Sequence, residues 1–281
     1  MNANHLPDYG PEEPAGDFYR GPQPPASSLP PGVVQSDGSL KVFATIGTGF
    51  SQLFARFLPW FLLGLLGFAG VMVIGVGAAV LMFFTVFDTI DPATLSPDAD
   101  VQMPLGVMVA IAVLSVVFSA VLTTAAYNGA LQVAENRRIS FGDFFRFKHG
   151  FGIPFLVTAV VALPSTVSVV FQSTDPTGND ALLFGGLYLL VMLVLLVASP
   201  LYQLAPFYAL DHGCGIGESF VRCFADGSRN YLPLLGLSVL VAVMVTISVF
   251  TIVGALILLP FSGIAYALAY RQISHGVHVT L

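Results

Sequence analysis

Charged side chains are scarce in this chain, since Asp, Glu, Lys and Arg together make up 9% of its 281 residues. A soluble globular domain carries roughly 25% charged residues, so this composition excludes that class. Cysteine is equally scarce, and Cys214 and Cys223 are too few for a disulfide framework. Ten basic residues stand against 16 acidic ones and form no basic domain, so nucleic acid is not an expected partner.

Long apolar runs take the place of the missing charge, and 56% of the residues are hydrophobic. Five runs contain no charged side chain, and each exceeds the ~18 residues that mark a candidate membrane span. These runs are 57–87, 101–134, 149–174, 181–210 and 230–270. The chain is therefore predicted to be an integral membrane protein.

The last run, 230–270, decides how often the chain crosses the membrane. A helix needs about 20 residues to cross ~30 Å of hydrocarbon at ~1.5 Å per residue. The run is too long for one crossing and about long enough for two. Splitting it gives six predicted spans and returns Arg271 to the side of the membrane that Arg229 occupies.

The distribution of charge predicts the orientation of these six spans. Nine basic residues fall on one side: Lys41, Arg56, Arg137, Arg138, Arg146, Lys148, Arg222, Arg229 and Arg271. The opposite loops hold six aspartates and no Lys or Arg. Because basic residues favour the cytoplasm, we expect the basic side and both chain termini to be cytoplasmic.

An amphipathic segment precedes each predicted pair of spans. These segments cover 41–57, 135–150 and 211–229, and each mixes basic residues with Phe, as is typical of the membrane interface. The predicted fold class is an all-α, polytopic membrane protein. Its six transmembrane helices form three hairpins, each preceded by a cytoplasmic interfacial amphipathic helix. The similar segments are either a threefold internal repeat or a requirement of every hairpin for such an entry segment.

The ends of the chain differ in composition from its middle. Residues 1–40 contain eight prolines and five acidic residues against the single Arg20, which is typical of a disordered tail. We interpret this Pro-rich tail as a spacer, or alternatively as a ligand for a Pro-binding partner. The predicted domains are the cytoplasmic tail 1–40, a six-helix membrane domain 41–272 and a short cytoplasmic tail 273–281.

Several short motifs in the second half of the chain carry a family resemblance. They are Tyr127-Asn128-Gly129-Ala130, Ser140-Phe141-Gly142-Asp143, Gly217-Glu218-Ser219-Phe220, Arg229-Asn230-Tyr231, Leu259-Pro260-Phe261 and Ala265-Tyr266-Ala267-Leu268-Ala269-Tyr270-Arg271. With them, residues 120–281 resemble a poorly characterised group of bacterial six-span membrane proteins related to the membrane domain of glycerophosphodiester phosphodiesterases. The resemblance implies a bacterial plasma membrane, and the Pro-rich tail is similar to those of actinobacterial membrane proteins. The phosphodiesterase catalytic domain has no counterpart here, so its activity is not implied.

Residues that could carry chemistry are few. None of the five runs contains Asp, Glu, Lys or Arg, which argues against a proton-coupled pump, a charge-ringed channel or an intramembrane aspartyl protease. A carrier of neutral or lipid-like substrates stays compatible with these runs. One cluster invites a metal hypothesis: His212, Cys214 and Cys223, with His275 and His278. Because its spacing does not fit structural zinc sites, we expect neither a metal nor another cofactor.

The leading functional hypothesis is a non-enzymatic accessory or scaffolding subunit of a larger membrane complex, with lipids and other membrane proteins as partners. The alternative is a transporter or flippase-like carrier of a neutral or lipidic substrate, which would use the Pro-broken third, fourth and sixth helices. A membrane enzyme is a third hypothesis, for which no catalytic residue can be named. Basic side chains beside aromatic ones are expected to contact anionic lipid. They are Arg56, Arg137, Arg138, Arg146, Lys148 and Arg222.

Overall fold

A computed structural model describes residues 33–89, 105–173, 179–248, 252–274 and 277–279. This part of the chain is helical apart from one two-stranded sheet. The helices are α1 (Val42–Ala55), α2 (Phe57–Thr89), α3 (Leu105–Ala134), α4 (Gly152–Ser173), α5 (Asn179–Ala198), α6 (Ala205–His212), α7 (Ile216–Arg229), α8 (Tyr231–Ser248) and α9 (Ile252–Ile273). Two 3-10 turns cover Phe141–Phe145 and Ser199–Leu201, and strands β1 (Val33–Gln35) and β2 (Val277–Val279) pair antiparallel.

Four helical segments in the described part of the chain are long and apolar enough to cross a membrane. They are Phe57–Phe84, Val109–Ala134, Gly185–His212 and Tyr231–Ser248. Large apolar side chains stay exposed along them, among them Val73, Leu189 and Val243. Exposure on this scale is unfavourable in water, whereas hydrocarbon accepts it. These helices therefore indicate a membrane location.

The longest uncharged run, 230–270, forms two helices, α8 and α9, as its length predicts. The two helices pack against each other. Of the three spans predicted to be broken by proline, two are continuous helices at the proline. Pro260 lies inside α9 without ending it, and α4 runs without interruption through position 164. In the described part of the chain, the fourth predicted span alone is interrupted, between α5 and α6.

Two of the three predicted amphipathic segments are helices, α1 and α7. The segment 135–150 differs from the prediction, because it is a loop that contains the 3-10 turn Phe141–Phe145. Asn136 has a φ of 60° and Gly150 a φ of 86°, values that a right-handed helix does not contain. The carboxylate of Asp143 accepts hydrogen bonds from N and Oγ of Ser140, at 2.8 and 2.7 Å, which favours a short capped turn.

The core lies at one end of the helices. The largest fully buried side chains include Leu53, Trp60, Phe144, Leu204, Phe207, Leu234, Phe261, Leu268 and Tyr270. They come from α1, α6, the beginnings of α2 and α8, the end of α9 and the 3-10 turn before α4, and we call this region the packed end. The Phe144 ring meets Trp60 edge to face, with centroids 4.8 Å apart. Phe144 also fills the space that a Cβ on Gly129 would need, at 2.2 Å from that position.

Helix α1 lies with one face against α9. Its buried residues include Gly49 and Leu53, and a Cβ on Gly49 would lie 3.0 Å from the ring of Phe261. Phe50 stacks on the same ring, with centroids 4.1 Å apart. Phe43 on the other face is 82% exposed. The amphipathic pattern of α1 therefore separates a protein-facing side from an exposed aromatic side.

Residues close to both chain ends also join the packed end. Strand β1 pairs with β2 so that Val33 lies opposite Val279. The Gln272 side chain accepts a hydrogen bond from the Lys41 N–H at 2.9 Å and donates one to Thr45 Oγ1 at 3.0 Å. Residues 33–35 and 277–279, which we assigned from the sequence to the two tails, thus form a small sheet.

Some predictions concern residues outside the described part. They are the disorder of the Pro-rich segment 1–32 and the acidic loops around Asp91, Asp98, Asp100 and Asp175. These stay predictions.

Candidate functional site

Three charged side chains from three helix ends form an ionic cluster at the packed end. Glu135 follows the last residue of α3, Asp211 lies in the last turn of α6 and Arg271 in the last turn of α9. The Arg271 guanidinium binds both Asp211 oxygens, Nη1–Oδ2 at 2.9 Å and Nη2–Oδ1 at 3.0 Å, and Nη2 also binds Oε1 of Glu135. Helix carboxyl ends carry partial negative charge and would repel the two carboxylates. Arg271 offsets that repulsion, and the cluster ties α3, α6 and α9 together.

Further hydrogen-bond donors surround the two carboxylates. The Tyr270 hydroxyl donates to Asp211 Oδ2 at 2.9 Å, and Arg137 Nε forms an ion pair with Glu135 Oε2 at 2.8 Å. The Arg271 side chain is 11% exposed, and its Nε is buried without a hydrogen-bond partner among the described residues. Carboxylates whose oxygens are occupied in this way are suited to joining helices rather than to taking a proton from a substrate.

The sequence patterns did not predict the ionic cluster. Arg271 was used only to predict the orientation of the spans in the membrane, and Glu135 and Asp211 were assigned no role. A signal for it was present. Both acidic residues directly follow long uncharged runs, on the side that carries the basic residues. A partly buried carboxylate at such a place needs a cationic partner, because burial without one is costly.

The break between α5 and α6 is closely packed. Three carbonyls at the end of α5 each accept a hydrogen bond from a side-chain hydroxyl. The pairs are Leu195 with Tyr202 at 3.3 Å, Leu196 with Ser199 at 2.8 Å and Val197 with Tyr231 at 2.7 Å. Helix α7 covers the break, and a Cβ on Gly227 would lie 2.3 Å from the carbonyl oxygen of Pro200. Side chains thus satisfy the backbone groups that the interrupted helix leaves unpaired.

The residues of the metal hypothesis do not have the protonation state or the arrangement that a zinc site requires. Burial raises the pKa of the Cys214 thiol and raises the pKa of Cys223 to about 12, so both sulfurs keep their protons at neutral pH. Zinc binds the thiolate instead. His212 Nε2 lies 3.6 Å from Asp211 Oδ2. Among the described side chains, which do not include those of His275 and His278, no three His, Cys, Asp or Glu residues converge as metal ligands.

The six residues predicted to contact anionic lipid divide by their partners. Three pair with carboxylates: Arg137 with Glu135 at 2.8 Å, Arg146 with Asp143 at 3.2 Å and Arg222 with Glu218 at 2.5 Å. Lys148 is exposed on the same connection as Arg146. Arg56 and Arg138 line one groove. The structure therefore brings two of the six residues into a shared site and spreads the others.

That groove lies where α1 ends, α2 begins and the chain leaves α3. Its cavity volume is about 510 Å³. Arg56 and the first turn of α2 line one side, and Asn136, Arg138 and Ile139 line the other. We call it the arginine groove. Its lining is basic and polar in one part and apolar in the rest.

Arg56 is held in the groove by neutral acceptors. Its Nε donates to the carbonyl of Arg137 at 3.0 Å, its Nη2 to Asn136 Oδ1 at 2.9 Å, and its Nη1 to the side-chain oxygen of Gln52. Partial burial and, after it, the neighbouring charge of Arg138 lower the pKa of Arg56. The guanidinium is thus fixed in orientation while its charge meets no carboxylate within the described part of the chain.

Comparison with known proteins identifies no relative of this chain. The resemblance of residues 120–281 to bacterial six-span proteins therefore stays a prediction, and the function is inferred from the side chains themselves. No known protein family, curated protein or solved structure matches this chain significantly.

Proposed function

We propose that the chain is a multi-pass protein of the bacterial plasma membrane, with six spans arranged as three hairpins. The spans would be α2, α3, α4, the α5–α6 segment, α8 and α9. Support comes from the contacts that link Arg56 to Arg137 and, through Glu135, to Arg271. The packed end and both termini then lie in the cytoplasm. A reporter fused after Leu281 that reads as extracytoplasmic would contradict this arrangement.

In that arrangement, the protein acts as a non-enzymatic accessory or scaffolding subunit of a larger membrane complex. The observation that carries this proposal is the exposure of α2. Within its candidate span Phe57–Phe84, the most apolar stretch contains no residue that the rest of the chain buries. Val71 and Val73 are 63% and 73% exposed. A helix that packs so little against its own chain keeps most of its surface for a partner helix.

Purification of the tagged protein in mild detergent, followed by mass spectrometry of the co-purifying proteins, tests this proposal. A photo-crosslinking residue in place of Val73 is expected to capture the same stoichiometric partner. Val221 on α7, which is 70% exposed, provides the matched control position. A protein that purifies as a monomer or homo-oligomer with bound lipid, and crosslinks at Val73 to lipid alone, would contradict the subunit proposal.

One observation favours a second candidate, a transporter or flippase-like carrier of a neutral or lipidic substrate. The α5–α6 break lies inside the candidate span Gly185–His212, and Gln203 beside it accepts a hydrogen bond from Ser238 at 3.4 Å. Interrupted helices with nearby polar groups form the substrate sites of many transporters. The reconstituted protein would then move substrate or lipid across vesicle membranes, and Gln203→Leu would reduce that movement. Rates equal to those of protein-free vesicles would exclude the carrier.

Lipids are the other proposed partners. The basic, aromatic connections of the packed end would meet anionic headgroups at the cytoplasmic surface. We expect weaker retention of anionic lipid when Arg137, Arg138, Arg146 and Lys148 are all replaced by Gln. Unchanged retention in that variant would contradict this contact.

A further inference from the structure

The arginine groove has features that a diffuse basic surface does not require. Arginine binds phosphate oxygens with parallel hydrogen bonds from a planar group, so the orientation of that group matters. Three neutral acceptors fix the Arg56 guanidinium, and they use three of its five N–H groups. Arg138 lines the same groove. In the described part of the chain, neither arginine forms an ion pair.

An anion in the groove would relieve an unfavourable charge distribution. The two guanidinium groups repel each other, and this repulsion adds to the burial that lowers the pKa of Arg56. Helix α2 begins at Phe57 in the groove wall, and the amino end of a helix carries partial positive charge. Both effects favour a bound anion at the same place.

The apolar part of the groove indicates which kind of anion fits. Leu58, Pro59 and Ile139 line it, and Leu58 is 66% exposed. The candidate span Phe57–Phe84 starts at this point, so apolar surface continues from the groove along α2. A cavity of about 510 Å³ also exceeds the ~30 Å³ of one water molecule many times over. A phosphate group that is attached to hydrocarbon matches both parts of the lining.

We propose that the arginine groove binds the phosphate group of an anionic phospholipid, with Arg56 and Arg138 as its ligands. The proposal rests on the membrane arrangement given above, because that arrangement places the groove at the level of the headgroups. It is narrower than contact by six basic residues, since it separates Arg56 and Arg138 from the other four. Inorganic phosphate is the second source of the same chemistry.

Lipid retention by the full chain tests the groove. The protein is reconstituted in vesicles of phosphatidylglycerol and phosphatidylcholine, extracted in mild detergent, and its bound lipids are counted by mass spectrometry. Arg138→Gln should bind phosphatidylglycerol about tenfold more weakly or worse, because a charge-assisted hydrogen bond is lost. Arg229→Gln changes the net charge equally, and Arg229 is exposed outside the groove lining and belongs to none of the proposed lipid contacts, so we expect retention within about twofold of the unchanged protein.

Two further variants separate binding from folding. Arg138→Lys keeps the charge and should restore part of the retention. Arg56→Gln should also lose phosphatidylglycerol, provided that its unfolding temperature in detergent shows an intact fold. Equal losses in Arg138→Gln and Arg229→Gln would overturn the proposal in favour of a diffuse basic surface, and so would unchanged retention in both.

Inorganic phosphate distinguishes the two sources. The delipidated protein is dialysed to equilibrium against millimolar labelled phosphate. We expect no phosphate binding that the Arg138→Gln change abolishes. Such binding, without retained phospholipid, would overturn the lipid proposal and assign the groove to free phosphate. Failure of the subunit proposal would appear elsewhere, as a missing partner after purification, with phosphatidylglycerol still bound.

Discussion

The packed end and the distal parts of the helices are built in different ways. At the packed end, aromatic rings interlock, most buried polar side chains are hydrogen-bonded, and Gly49, Gly129 and Gly227 sit against neighbouring atoms. The distal parts are residues 64–84, 106–119 and 185–198, where no described side chain is buried. Gly75 and Gly77 of α2 have no atom within 4 Å of an added Cβ, although Gly70 lies against the ring of Phe118. One region is closely packed, whereas the other presents apolar surface.

This difference follows from the solvent that each region would meet. Lipid tails are as apolar as Leu, so exposed side chains in a bilayer gain little by packing on each other. At the packed end, polar side chains are partly withdrawn from water, so a buried charge there loses stability when its partner is removed. The packed end is therefore expected to determine the stability of the whole fold, and the following changes test that expectation from the largest effect to the smallest.

Removal of Arg271 should destabilise the protein most. Arg271→Gln leaves the partly buried carboxylates of Asp211 and Glu135 without their cation, at a cost of about 3 to 5 kcal/mol. Thermal unfolding in detergent micelles measures the loss. Arg229→Gln is the control, because Arg229 is exposed at the end of α7. Equal unfolding temperatures for the two variants would show that the ionic cluster does not hold the helices.

A pair of leucines compares the two regions directly. Leu268 in α9 is fully buried, whereas Leu189 in α5 is 68% exposed. We expect Leu268→Ala to cost about 3 kcal/mol, because it leaves a cavity, and Leu189→Ala to cost less than about 0.5 kcal/mol. Chemical denaturation in micelles gives both values. A comparable cost at Leu189 would mean that the distal parts also contribute to stability.

A pair of glycines in α7 tests the packing at the α5–α6 break. Gly227→Ala places a methyl group 2.3 Å from the Pro200 carbonyl oxygen, which the backbone cannot easily avoid. Gly217→Ala in the same helix meets no atom within 4 Å. The first change should cost about 1 to 3 kcal/mol, and the second should leave the unfolding temperature equal or slightly higher. The reverse order would contradict the packing of α7 on the break.

The smallest expected effect is a pH dependence of the 3-10 turn Phe141–Phe145. Hydrogen bonds from the backbone and hydroxyl of Ser140, followed by the charge of Arg146, lower the pKa of Asp143. A lowered pKa in the folded state means stability that is present above the unfolded pKa of about 3.9 and is lost as the pH falls through the folded value. Asp143→Asn should therefore be slightly less stable than the unchanged protein at pH 6, and this stability difference should narrow as the pH falls below about 4. A stability difference that does not change with pH would contradict this role of the Asp143 carboxylate.

Run length and charge were good guides to part of the fold. The run 230–270 divides into α8 and α9 because one crossing cannot use so many residues. Arg56 and Arg137, 81 residues apart, lie together at the packed end, as the alternation of the runs predicts. The amphipathic patterns of 41–57 and 211–229 likewise predicted α1 and α7. The number of spans and their orientation stay proposals.

Other features depend on contacts that a local pattern does not contain. Asp211 pairs with Arg271, which lies 60 positions further along the chain. The sequence around either residue does not identify the other as its partner. In the segment 135–150 the mixture of basic residues and Phe suggested an interfacial helix, but the Ser140–Asp143 cap and Gly150 favoured a turn. Pro260 is accommodated inside α9, because neighbouring groups can satisfy the freed carbonyl. Pro200 and Pro206 lie close together and remove two helical hydrogen bonds, and there the helix is interrupted.

The contacts of Gln272 also imply an order in which the parts of the fold can assemble during synthesis. Ser36 Oγ donates to the Gln272 carbonyl across 236 positions of the chain, and α1 has its buried face against α9. A ribosome completes α1 long before it makes α9, so the face with Gly49 and Leu53 waits uncovered while the intervening helices enter the membrane. Closure of the packed end is then a late event in assembly. A nascent chain that stalls before α9 would display that face, together with an unpaired Asp211, to the proteases and chaperones that inspect unfinished membrane proteins.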